Sequence, residues 1–255
     1  MRSFFVISFF YVCFFVSLPA IARQVKGRPT LPSDCTANEH WVRDHPKSKA
    51  DYTAYCRVNR GHQTIPASYK FVAPRIKLGR PKGWPWPQER TAKWSENQIV
   101  TLLAAVEKLP ERLWLPLITG IYRLQKSKDV GNPASSGGGF VVLYDDAFHG
   151  KEELAQIIAH ELAHYLYSDL SDQERRNYEM ATGWATERDE KTGKMKVILA
   201  RPSGYVKSDG KFSPEEDFAN NIEYFLFHPK ALKETTPHAH SWISGQFGDS
   251  FKVRK

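Results

Sequence analysis

The chain is poor in cysteine, with three in 255 residues, and that scarcity excludes several designs. Cys13 lies inside an apolar N-terminal run, which leaves only Cys35 and Cys56. Two cysteines at that spacing cannot build a zinc knuckle, which needs further cysteine or histidine partners at fixed intervals. In an exported chain they are expected to form one disulfide, closing a loop of about 20 residues and stabilising by roughly 3 kcal/mol in the chain-entropy model. The sequence has no internal repeat and no low-complexity tract, so solenoids and arrays are excluded. It carries a formal charge of +8. No Lys/Arg run with interleaved aromatics accompanies that charge, so no nucleic-acid partner is expected.

The one long hydrophobic run stands at the start. Arg2 precedes apolar residues from Phe4 to Leu18, and Ala20-Ile21-Ala22 supplies the small residues of an A-x-A cleavage site. This predicts a signal peptide over residues 1–22 and a periplasmic or extracellular protein. The competing expectation is an uncleaved N-terminal anchor, against which the A-x-A argues. No transmembrane anchor is expected in the mature chain.

Three regions follow. Residues 23–73 have few long apolar runs and scattered histidines without ligand spacing, and read as a disulfide-stapled N-terminal extension. Residues 74–93 are rich in Pro, Gly and Trp and read as an extended linker, with Trp84 and Trp86 pressing it against the next domain. Residues 94–255 carry the main domain. There Ile99, Leu102, Leu103, Val106 and Leu109 recur at helical spacing after Ser95, and Pro110 ends the run. Gly131 to Gly139 read as a loop, and Phe140 to Tyr144 as a strand whose exposed edge pairs with an extended peptide.

His160-Glu161-Leu162-Ala163-His164 lies in the apolar-patterned run 151–167, which predicts a helix. Histidines at i and i+4 share one helix face, so one Zn²⁺ can take both imidazoles. Glu161, beside the first ligand, is placed to act as a general base. The pattern needs a third ligand. A histidine at the metzincin spacing would fall at position 170, which is Leu170, so that branch fails. A glutamate from a later helix is the other common solution.

Ser213-Pro214 opens a second helix over residues 213–225, with a cap residue followed by proline at the first helical position. Glu216, Ala219, Asn220 and Glu223 share one face of it, and small Ala219 allows a close helix approach. Glu216 has two readings: metal ligand, or the acidic member of a Ser213-x-x-Glu216 capping box. Glu215 and Glu223 are the fallback ligands, and Glu223 also suits a role orienting a histidine.

HELAH at 160–164 and EDFA at 216–219 resemble the gluzincin metallopeptidases. Within them the likeness is to the anthrax lethal factor-like catalytic domain, a group that includes secreted bacterial Pro-Pro endopeptidases. The resemblance covers the chain from Trp94 onward. It implies an α+β, zincin-like metallopeptidase domain with an active-site helix, a small sheet with an exposed edge strand, and a later glutamate-bearing helix. It implies one zinc per chain, with His160, His164 and Glu216 as ligands and Glu161 as general base. It also implies a tyrosine that stabilises the oxyanion. Family spacing puts that tyrosine at position 209, which is Asp209; Tyr205, eleven residues before Glu216, takes its place in the expectation. The expected protein is a monomeric zinc metalloendopeptidase acting on a protein or peptide substrate. The alternative is a non-catalytic envelope-binding or adaptor protein that retains the fold.

Overall fold

The computed structural model describes residues 22–23, 32–35, 39–42, 55–58, 66–149, 153–188, 191–193, 195–199 and 204–254. The expected signal peptide lies outside the described residues except for Ala22.

Strands β1 (Ala22–Arg23), β2 (Glu39–Val42) and β3 (Tyr55–Val58) form an antiparallel sheet in the order β1-β3-β2. Cys35 is disulfide-bonded. It also packs against the main core, and Tyr69 donates to the Pro32 carbonyl at 3.2 Å.

Helix α1 (Ala67–Val72) and Ile76 place Phe71, Val72 and Ile76 in that core. The Pro/Trp-rich stretch then crosses the sheet of the main domain. Trp84 packs with Leu124, Val142 and Tyr144 as a second small cluster, joined by Trp86, Tyr122 and Phe140. Buried Glu89 fastens it, accepting from Trp84 Nε1 (2.8 Å), Tyr144 Oη (2.9 Å) and the Lys128 amide (2.8 Å). Three donors compensate the desolvation of one carboxylate.

Helix α2 (Glu96–Glu107) starts at Ser95 with a reciprocal capping box to Gln98 and buries Ile99, Leu102, Ala105 and Val106. The sheet follows: β4 (Gly120–Arg123), β5 (Ala134–Gly137) and β6 (Phe140–Leu143), in the order β4-β6-β5. The β4–β6 pair is parallel and the β5–β6 pair antiparallel. Strand β6 is therefore central, which corrects the expectation that residues 140–144 form the exposed edge. Val141 and Leu143 face the main core while Val142 faces the tryptophan cluster, the burial on both faces that a central strand requires. The edges are β4, which meets an isolated bridge from Ile76, and β5, whose Ala-Ser-Ser-Gly sequence reads as a loop.

Short α3 (Asp146–His149) leads to α4 (Leu154–Asp169), the H-E-x-x-H helix. Its buried residues include Leu154, Ile157, Ile158, Leu162, Ala163 and Leu166. Helix α5 (Asp172–Thr182) is amphipathic, begins at a Ser171/Glu174 capping box and ends at Gly183 with φ of +81°. A hairpin of β7 (Trp184–Arg188) and β8 (Met195–Leu199) follows. Then come α6 (Pro214–Phe227), α7 (Pro229–Thr235) and α8 (Pro237–Phe247). The fold is mixed α+β. Among the described residues no helix is long and apolar enough to cross a membrane.

Helices α4 and α6 pack most closely of all elements. Ala163 and Ala219 are fully buried there, and such small side chains let two backbones approach. Phe218 stacks edge-on with Tyr178 and contacts Tyr167 and Trp242. Beside it buried Asp217 accepts from Tyr178 Oη (3.1 Å) and Trp184 Nε1 (3.0 Å). This apolar and polar packing fixes the rotation of α6, and so decides which side chains it turns toward α4.

Candidate metal centre

A cleft of about 1270 Å³ opens between β5, α4 and the segment leading into α6. His160, Glu161 and His164 line it from α4, and Glu215, Glu216 and Glu223 from α6.

The sequence-predicted ligands converge. The Nε2 atoms of His160 and His164 are 3.2 Å apart. Glu216 places Oε1 3.7 Å from His160 Nε2 and Oε2 3.3 Å from His164 Nε2. Tetrahedral zinc with ligands at roughly 2.05 Å needs ligand atoms about 3.4 Å apart. Each pair of side chains comes close to that spacing, Glu216 through a different oxygen toward each histidine, and one ligand atom from each residue lies within 4.8 Å of the other two. The donor set of two imidazoles and one carboxylate fits a divalent metal.

The local structure of α6 excludes the closed capping box at Glu216. Ser213 Oγ accepts the Glu216 amide at 3.1 Å. The Glu216 carboxylate, instead of turning back to the Ser213 amide, points at the histidines. The cap is half a capping box: serine serves the helix and glutamate serves the cleft. The fallback residues have other places. Glu215 Oε1 lies 3.1 Å from His164 Nδ1, and Glu223 Oε2 lies 3.5 Å from His160 Nδ1. Each imidazole thus turns Nε2 inward with a carboxylate near Nδ1, and the His164–Glu215 hydrogen bond favours the His164 tautomer with a free Nε2 lone pair. His160 Nδ1 makes no hydrogen bond at its 3.5 Å contact, so that interaction is an ion-pair attraction.

Burial alone would lower the His160 pKa. Glu216, Glu223 and Glu161 outweigh it and lift the group to about 10. Glu216 is held below the usual carboxylate range, chiefly by His160 and against its own burial. Glu161 lines the cleft but is only 7 % exposed.

Tyr205 does not join this group. It is not among the residues lining the cleft, and its ring lies against Gly210, where an added Cβ would come within 3.2 Å of it. Asp209, at the position the family spacing selects, does line the cleft; its carboxylate accepts from Asn220 Nδ2 at 2.6 Å.

Sequence reasoning missed two residues. Lys207 lines the cleft and holds Glu223 Oε2 at 2.9 Å; it sits in an irregular stretch where no periodicity marks it. Tyr165 follows His164 directly, and its hydroxyl reaches β5 and β6. Its position beside a ligand was the available signal. Comparison with protein-family models, curated proteins and solved structures finds no match to this chain.

Proposed function

We propose that the protein is an exported zinc-dependent metallopeptidase that hydrolyses peptide bonds in the α4–α6 cleft. The observation that carries the proposal is the convergence of His160, His164 and Glu216 at zinc spacing, with Glu161 in the same cleft. Zinc, when bound, supplies Lewis acidity: it lowers the pKa of water and polarises a carbonyl. The chain supplies the rest. Glu161 takes the proton of the attacking water and passes it to the leaving amine. Glu215 and Glu223 orient the two imidazoles. Strand β5 holds the substrate extended. The Tyr144 amide donates to the Pro133 carbonyl, which fixes the ladder so that residues 133 and 135 exchange their main-chain bonds with β6. The Ser136 main chain then faces away from β6 and is open to an added strand.

The test is Glu161→Gln. The variant keeps one zinc per chain and loses hydrolysis of a peptide library; persistent cleavage removes Glu161 as the base.

A second reading, a peptide-binding envelope or adaptor protein without turnover, draws on the place of Tyr205, whose ring packs on Gly210 and is not among the residues lining the cleft. It predicts full zinc occupancy with no cleavage of the same library by the unmodified protein.

A further inference from the structure

The antiparallel register of β5 and β6 pairs Gly137 with Phe140 across a two-residue turn of Gly138 and Gly139. With residues 133 and 135 bonded to β6, the next bond in the ladder should run from the Gly137 amide to the Phe140 carbonyl. The Tyr165 hydroxyl reaches both of these groups from α4: it accepts from the Gly137 amide at 2.9 Å and donates to the Phe140 carbonyl at 2.7 Å. Tyr165 is buried, at 8 % exposure, so water competes little for either bond of this bridge.

The far side of the turn is tied as well. The Thr119 amide and hydroxyl both donate to the Gly139 carbonyl, at 2.6 and 3.0 Å. Gly137, Gly138 and Gly139 carry φ of +153°, +59° and +86°, conformations that only glycine adopts freely. Such a turn is soft by itself, so its position is set by what grips it. Tyr165 is the grip from the metal helix, one residue after His164.

We propose that Tyr165 is a positioning residue: its hydroxyl splices the end of the β5–β6 ladder onto α4 and so sets the distance between the edge strand and the metal-binding histidines. The inference rests on the peptidase reading. An extended peptide laid on β5 then meets His160, His164 and Glu216 in register. Without the hydroxyl the hairpin end loses its tie to α4, and β5 no longer keeps a fixed offset from the metal ligands.

The test is Tyr165→Phe in the full chain, with three readouts. Amide hydrogen exchange over residues 136–140 is expected to quicken about tenfold, with zinc stoichiometry unchanged. For a peptide long enough to lie along β5, KM is expected to rise about three- to tenfold, the factor set by a hydrogen bond of ordinary net strength, with kcat unchanged. For a substrate too short to reach β5, neither constant moves. Unchanged exchange at residues 136–140, or a fall in kcat shared by long and short substrates, overturns the proposal. An unmodified protein that cleaves no peptide at all would sink the peptidase reading, and hydrogen exchange alone would then decide the role of Tyr165.

Discussion

Replacing Glu223 with glutamine separates two roles that one carboxylate holds. Glu223 is 2 % exposed; Oε2 lies 2.9 Å from Lys207 Nζ and 3.5 Å from His160 Nδ1. Glutamine keeps the shape and removes the charge. Breaking a buried ion pair costs about 3–5 kcal/mol. Lys207 keeps a quarter of its side chain exposed and can turn to water, so the metal-free variant should lose roughly 3 kcal/mol, the low end of that range. In a chain of this size that is a fall in Tm of roughly 6–12 °C. Zinc affinity falls for a different reason: His160 loses the partner at its outer nitrogen, which typically weakens binding about 10–100-fold, or ~1.4–2.7 kcal/mol. The double variant Glu223→Gln/Lys207→Met removes the ammonium that faced the lost charge and should recover most of the stability while leaving the zinc affinity low. Calorimetry with chelator present reads the first quantity, and competition with a chromophoric chelator reads the second. An unchanged zinc Kd in the single variant, or recovery of Kd together with Tm in the double variant, would refute the claim that Glu223 orients His160.

Two other outcomes are expected. Asp217→Ala removes the acceptor of Tyr178 Oη and Trp184 Nε1 in a buried site, and should lower stability by about 3 kcal/mol; thermal denaturation checks this, and an unchanged Tm would show that the network is not stabilising. The metal-free protein should also have a pH dependence that the zinc form lacks. His160 is raised from 6.5 to about 10, so its stabilising contribution is whole below pH 6.5 and is lost as pH rises through about 10. Tm measured across that window with chelator should fall with pH more steeply than with zinc; equal slopes would reject the shift.

The legibility of the sequence differed by element, for physical reasons. The two helices that carry the site were readable because each has a strong apolar period and, in α6, a cap and a proline at the first turn. Those signals are local. The role of Glu216 was not readable, because Ser-x-x-Glu spells a capping box whether or not the carboxylate folds back. The choice is made by α4, which brings two imidazoles within 3.7 Å of that carboxylate. Strand β5 was hidden because Ala-Ser-Ser-Gly carries turn composition; its strand state comes from pairing with β6 and from Tyr165. Strand β7 was hidden too, since four of its five side chains are exposed. The expected sheet edge went to the wrong strand because Phe140-Val-Val-Leu has the apolar content of any strand, and only burial on both faces marks a central one.

The charges of the cleft argue that it is built around a cation. Asp129, Asp146 and Asp209 line it, and around the histidines stand Glu161, Glu215, Glu216 and Glu223, against a single lysine among the described residues, Lys207. With neutral imidazoles the group around the histidines carries a net charge of −3, in a place where Glu161 and Glu223 have almost no contact with water. Like charges that cannot be hydrated must be neutralised from within. In the metal-free protein the nearest remedy is a proton on His160, which is the physical content of its rise to about 10. A divalent ion at the three convergent ligand atoms offsets two of the three charges and releases that proton, since the imidazole must be neutral to ligate. Proton and metal therefore compete for one group. Zinc binding near neutral pH should release about one proton per chain, read as the dependence of the calorimetric binding enthalpy on the ionisation enthalpy of the buffer. Binding with no proton released would mean that the carboxylates are neutralised elsewhere, and the argument for a cation-centred cleft would fail with it.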